Sequence, residues 1–178
     1  TASFGKGAMG GVVNLVSADP SVTQDYDLTA SQGSYGYGLY HGHLSTRVGR
    51  VGIMANLTHS FADNDFRYER DDGDTARRDN NGYENTSGLF KAVLDTTGWK
   101  TSLTGSRIVH ESGSPGGEGS AGYLTPDDTV NAVQDLYLAE TTRDFPGDAS
   151  LRLRTWMMVD RERIESVFGD TRQKLVDR

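Results

Sequence analysis

Polar and apolar residues alternate along most of this chain with a period of two. In "DYDLTAS", Tyr26, Leu28 and Ala30 fall on one face, and Asp25, Asp27, Thr29 and Ser31 fall on the other. "VGIMANLTH" sets Val51, Ile53, Ala55 and Leu57 against Gly52, Met54, Asn56 and Thr58. "SLRLRTWMMVD" sets Leu151, Leu153, Thr155, Met157 and Val159 against Arg152, Arg154, Trp156, Met158 and Asp160. A strand turns successive side chains to opposite sides, so this pattern predicts strands that meet a different environment on each face. Seven strands are predicted, near 23–33, 36–48, 51–62, 84–95, 99–110, 135–144 and 149–165. Helical periodicity is nearly absent, and no internal repeat or low-complexity block interrupts the pattern. The chain reads as all-β.

The connections narrow the architecture. Val48-Gly49-Arg50, Asp95-Thr96-Thr97-Gly98 and Phe145-Pro146-Gly147-Asp148 are tight-turn sequences. The alternate connections 63–83 and 111–134 are long and rich in Gly, Asp, Asn and Arg, and only the turn at Gly33-Ser34-Tyr35-Gly36 is short. Short turns at one end and large polar loops at the other are how outer-membrane barrels are built. Strands of a soluble sandwich are shorter, about five or six residues. The expected fold is therefore a partial antiparallel transmembrane β-barrel. Its apolar face would meet lipid, and a wet lumen would hold Asp25, Asp27, Lys91, Arg152 and Arg154. Tyr26, Tyr35, Tyr37, Tyr40, Trp99, Tyr137 and Phe145 lie near predicted strand ends, where an aromatic girdle would sit.

Composition removes other classes. No run of about 18 apolar residues occurs, so no membrane-spanning helix is expected. The chain has no cysteine, which excludes a disulfide framework, a thiolate metal site and a cysteine nucleophile. Its net charge of -7 speaks against a nucleic-acid partner. It opens at Thr1 without methionine, basic segment or apolar leader, which suggests a piece of something longer.

Candidate chemistry is sparse. Gly5, Gly7 and Gly10 fit G-x-G-x-x-G, but Val12-Val13-Asn14-Leu15-Val16 follows them and reads as a strand. A phosphate-binding loop needs a helix N-terminus there, so these glycines are expected to serve a tight, close-packed turn. His41 and His43 share a strand face but lack a placed third metal ligand, and are expected as lumen-facing polar residues. "DNDFRYERDDGD", Asp63 to Asp74, has enough carboxylates for Ca²⁺ without EF-hand spacing; a solvated loop is expected, with calcium as the second reading. Neither G-x-S-x-G nor H-E-x-x-H is present, and an enzyme is not expected. Phe66, Arg67, Tyr68, Arg77, Arg78 and Tyr83 combine stacking faces with forked donors in loop 63–83, the mixture that grips a polar, planar or anionic chelate.

"SFGKGAMGGVVNLVSADP", residues 3 to 20, closely resembles the C-terminal end of the plug domain in TonB-dependent outer-membrane receptors. That family writes a small residue, an aromatic, Gly, a variable pair, Ala-hydrophobic-Gly-Gly, then a strand around Asn. Ser3, Phe4, Gly5, Ala8, Met9, Gly10, Gly11, Val12, Val13, Asn14, Leu15 and Val16 occupy those places. "NDFRY" with "RRDNNGYEN" is similar to the family's second external loop, and "ESGSPGG" to a turn in the third. The resemblance implies a plug end at 1–20, with Gly5, Gly7, Gly10, Gly11 and Asn14 structural, and a first part of the barrel at 21–178. It implies about seven strands of a roughly 22-stranded plugged barrel, hence a fragment. It further implies energy-coupled uptake of a large scarce solute, such as a ferric siderophore or cobalamin, across a Gram-negative outer membrane. The implied partners are outer-membrane lipid and the TonB complex, reached through an N-terminal TonB box not in this chain. An outer-membrane barrel adhesin or structural anchor, or a barrel hydrolase, is the alternative, although neither needs a luminal plug.

Overall fold

The computed structural model describes residues 18–20, 24–69, 73–114, 128–147, 149–168 and 171–177. The plug-like motif, with Gly5, Gly7, Gly10, Gly11 and Asn14, lies outside them. The described residues form strands and no helix: β1 (Asp25–Gln32), β2 (Gly38–Val48), β3 (Val51–Ala62), β4 (Arg67–Glu69), β5 (Thr75–Arg77), β6 (Tyr83–Thr96), β7 (Trp99–Ser114), β8 (Asp128–Asp144), β9 (Ser150–Phe168) and β10 (Thr171–Asp177). Eight of them make one antiparallel sheet in the order β1-β2-β3-β6-β7-β8-β9-β10, each strand beside its predecessor except where β4 and β5 pair with each other as a separate hairpin. The sheet is open, with β1 and β10 at its two edges.

All seven predicted strands are present, and three features depart from expectation. An eighth strand, β10, pairs with the end of β9. Loop 63–83 holds the β4–β5 hairpin, with Arg67 opposite Arg77 and Tyr68 opposite Ala76. Loop 111–134 is shorter than expected, because Glu111–Ser114 and Asp128–Gln134 continue the β7–β8 ladder. The polar and glycine-containing sequence there hides strands whose backbone groups are satisfied by long neighbours rather than by side-chain packing.

The register carries each face straight across the sheet. Tyr26, Leu44, Ala55, Phe90, Gly105, Tyr137 and Met157 are successive cross-strand partners on one face. Thr29, His41, Thr58, Ser87, Ile108, Gln134 and Asp160 form such a row on the other. The first face is bare: Leu28 is 86% exposed, Leu153 71% and Leu103 56%. Among the described residues the only buried hydrophobic side chains are Met54, Ala62 and Val93, all on the second face. The core, such as it is, lies on the polar side. There Pro20 packs so closely on Gly52 that a Cβ at Gly52 would stand 2.8 Å from the proline ring.

The three short connections take the turn geometry that their glycines allow. Val48 pairs with Val51 across Gly49-Arg50, and Gly49 at the first central position has φ +60°, as a type II′ hairpin turn requires. Successive turns also step along the sheet. Val51 pairs with Leu94, two residues short of the Thr96–Trp99 closing pair. Trp99 in turn pairs with Arg143, one residue short of Asp144–Ser150. The turn end of the sheet therefore descends diagonally from β2 to β9.

Candidate functional site

Segment 18–20 lies on the polar face, and the strands beneath it supply the residues that hold it. Asp19 bridges two neighbouring strands. Its Oδ1 accepts from Lys91 Nζ of β6 at 3.2 Å, and its Oδ2 forms a close ion pair with Lys100 of β7. Lys91, buried in the sheet, also donates to the Ala18 carbonyl at 3.0 Å. The Lys100 hydrogen bond, with lesser help from Lys91, holds the Asp19 carboxyl below its ordinary range even though partial burial pushes the other way. The rest of this face is cross-linked strand to strand. His41 Nδ1 lies 2.8 Å from Thr58 Oγ1, and His43 Nδ1 lies 2.5 Å from Asn56 Oδ1 with Asp25 3.6 Å from its other nitrogen. Glu140 accepts from Arg154 Nε at 2.6 Å. The two histidines are thus engaged by cross-strand neighbours on the polar face.

At the opposite end from the short turns, loop 63–82 is braced by asparagines. Asn64 and Asn80 both sit at positive φ, +53° and +51°, which Asn tolerates better than most residues. The Asn64 side chain donates to the Asn81 carbonyl at 3.2 Å, and Asn81 returns the bond to Asn64 at 3.3 Å. Asn80 donates to the Asp128 carbonyl at 2.7 Å, tying this loop to the start of β8. The backbone amides of Asp63 and Asn64 both donate to the Tyr35 carbonyl. These braces were not singled out in the sequence; the Asn-Asn-Gly run was the available signal.

The six candidate residues are partly gathered. Phe66 meets the Tyr35 ring edge-on at 6.1 Å, and the Arg78 guanidinium lies 5.8 Å from the Tyr68 ring. Arg77 is committed to Asp65 through a close ion pair and a 3.0 Å bond to its carbonyl. Arg67 stands across the hairpin from Arg77. Tyr83 is set apart below the hairpin, lining a hollow of about 330 Å³ with Asp63, Asn80, Glu111 and Gly113. The hairpin therefore presents a ring, a stacked guanidinium and exposed Arg67.

Within Asp63–Asp74, residues 70–72 lie outside the described part, and Asp65 is already paired with Arg77. Among the described residues no group of three or more His, Asp or Glu converges as a metal site. Glycines 116, 117, 119 and 122 of connection 111–134 also lie outside the described residues. No protein-family model matches this chain, and no curated protein or solved structure matches it either. The functional reading rests on the residues alone.

Proposed function

We propose that this chain forms the end of a plug and the adjoining barrel wall of a TonB-dependent outer-membrane receptor, which takes up a large scarce solute with energy from the inner membrane. One observation carries the reading. A continuous sheet face of large apolar side chains is left bare, while the opposite polar face holds segment 18–20. Burying one such side chain is worth about 1.5–3 kcal/mol, so a face this size is costly in water and favourable in hydrocarbon. The bare face also has the trim of a membrane surface. Arg143 lies between Trp99 and Phe145, 4.7 Å from each ring centroid, at the turn end. Tyr40, His59 and Phe61 cluster towards the loop end, with His59 and Phe61 5.5 Å apart. Amphipathic rings at both margins suit the two water interfaces. Segment 18–20 on the polar face is where the tail of a luminal plug would join its wall, and the open edges at β1 and β10 are where further strands would continue it.

The test is uptake. Cells carrying the full-length protein are offered labelled ferric siderophores and cobalamin, with and without TonB. One solute is expected to accumulate only when both proteins are present. Changing Phe66, Arg67 and Tyr68 together to alanine is expected to weaken its binding about tenfold, roughly 1.4 kcal/mol, at an unchanged amount of folded protein. TonB-independent accumulation, or none for any solute, would refute the proposal.

A further inference from the structure

On the bare face, one carboxylate is buried. Asp135 of β8 shares that face with Tyr137 and Ala139, yet it is only 5% exposed. Two arginines cover it: Arg107 Nε lies 3.7 Å from Oδ1 and Arg161 Nη1 lies 3.7 Å from Oδ2. Both distances exceed hydrogen-bond reach, and Asp135 Oδ1 has no hydrogen-bond partner. The carboxylate thus gathers two guanidinium groups without using up their donors. Each arginine side chain is 61% exposed, and each guanidinium offers five N–H groups in a planar fork suited to phosphate oxygens. Two cations around one anion leave a net positive charge. Nearby Arg163 is spoken for by Glu165 at 2.5 Å.

The position of this group matters as much as its charge. Immediately towards the turn end lies an apolar groove of about 490 Å³, lined by Phe90, Leu103, Gly105, Tyr137, Ala139 and Met157. Gly105 precedes Arg107 by two residues on the same face, and Tyr137 follows Asp135 by two. Gly105 keeps the groove open, since a Cβ there would meet nothing nearer than Tyr137 at 3.9 Å. Because the turn ends descend diagonally towards β9, the apolar band on β7–β9 ends lower on the strands than it does on β2 and β3. Arg107 and Arg161 stand at its upper margin, eight to ten residues from the β7–β9 turn-end positions Trp99 and Leu151. That separation is about the length of strand that crosses hydrocarbon.

We infer that Arg107 and Arg161 bind the headgroup of a phosphorylated lipid, with an acyl chain of the same molecule in the groove beneath. A free phosphate would have no use for the groove, and a neutral lipid none for the paired arginines. The inference rests on the reading of this face as a membrane surface. The full-length protein, purified in detergent, is mixed with equal amounts of phosphatidic acid and phosphatidylcholine, and bound lipid is counted by native mass spectrometry. Phosphatidic acid is expected to be retained about tenfold over phosphatidylcholine. The Arg107→Gln/Arg161→Gln double variant should lose that preference, and Arg152→Gln/Arg154→Gln on the opposite face should keep it. Gly105→Leu, which fills the groove and leaves the charges in place, should lower retention of both lipids. Excess inorganic phosphate should not displace the lipid. Parity of the two lipids, equal loss in both double variants, unchanged retention with Gly105→Leu, or displacement by inorganic phosphate would overturn the site in a protein that still requires detergent. A protein monomeric in water without detergent would overturn the membrane reading itself.

Discussion

A single carboxylate, Asp19, ties the segment before the sheet to two of its strands. Its folded-state pKa lies below the ordinary value of 3.8 because its charged form is held by Lys100 and Lys91. A group with a depressed pKa contributes stability that is complete above the unfolded value and is lost as pH falls through the folded one. The attachment is therefore expected to be insensitive to pH between 5 and 8 and to loosen only below 3.8. The chain has no cysteine of its own, so a nitroxide on Ala18→Cys reports this segment alone. The label should gain mobility in strong acid, and Asp19→Asn should be mobile at every pH. Mobility independent of both pH and Asp19 would leave the ion pairs without that role. The pair was not legible in the sequence, since Asp19 and Lys100 are distant along the chain and only the sheet puts Lys91, opposite Thr104, and Lys100, opposite Asp95, on one face of adjacent strands. That Phe66, Tyr68 and Arg78 crowd one loop was legible in the sequence; that Arg77 is consumed by Asp65 was not.

At the scale of elements, alternation located the strands well because the two faces differ in side-chain type along most of each strand. It failed where side chains stop deciding. Asp128–Gln134 and Thr171–Asp177 are strands because adjacent strands offer them backbone partners, and no periodic signal announces that. The β4–β5 hairpin escaped for a related reason, being three residues on each side with arginines facing each other. The turns were legible in their glycines, and the proposed membrane reading gives them an orientation that can be measured. In intact cells making the full-length protein, an impermeant thiol reagent should label Thr75→Cys on the hairpin and not Thr97→Cys on the β6–β7 turn. The reverse pattern would invert the topology.

Across the whole sheet, the described residues bury only three hydrophobic side chains. They are Met54, Ala62 and Val93, and the edge strands β1 and β10 expose unpaired backbone groups beside apolar strands. Residues 1–178 expressed alone are thus expected to aggregate in water; a monomer with a cooperative melting transition would mean that the bare face finds cover within the chain. The strands also lengthen across the sheet, from 8 residues in β1 to 19 in β9. From the row that joins Gln32 to Arg163, β9 runs on five residues to Phe168, about 17 Å of extended chain. In the proposed orientation the rim is a slope, low at β1 and high at β9. Large particles arriving from the medium, such as antibodies and phages, would then meet the crest of β9 before the low edge at β1.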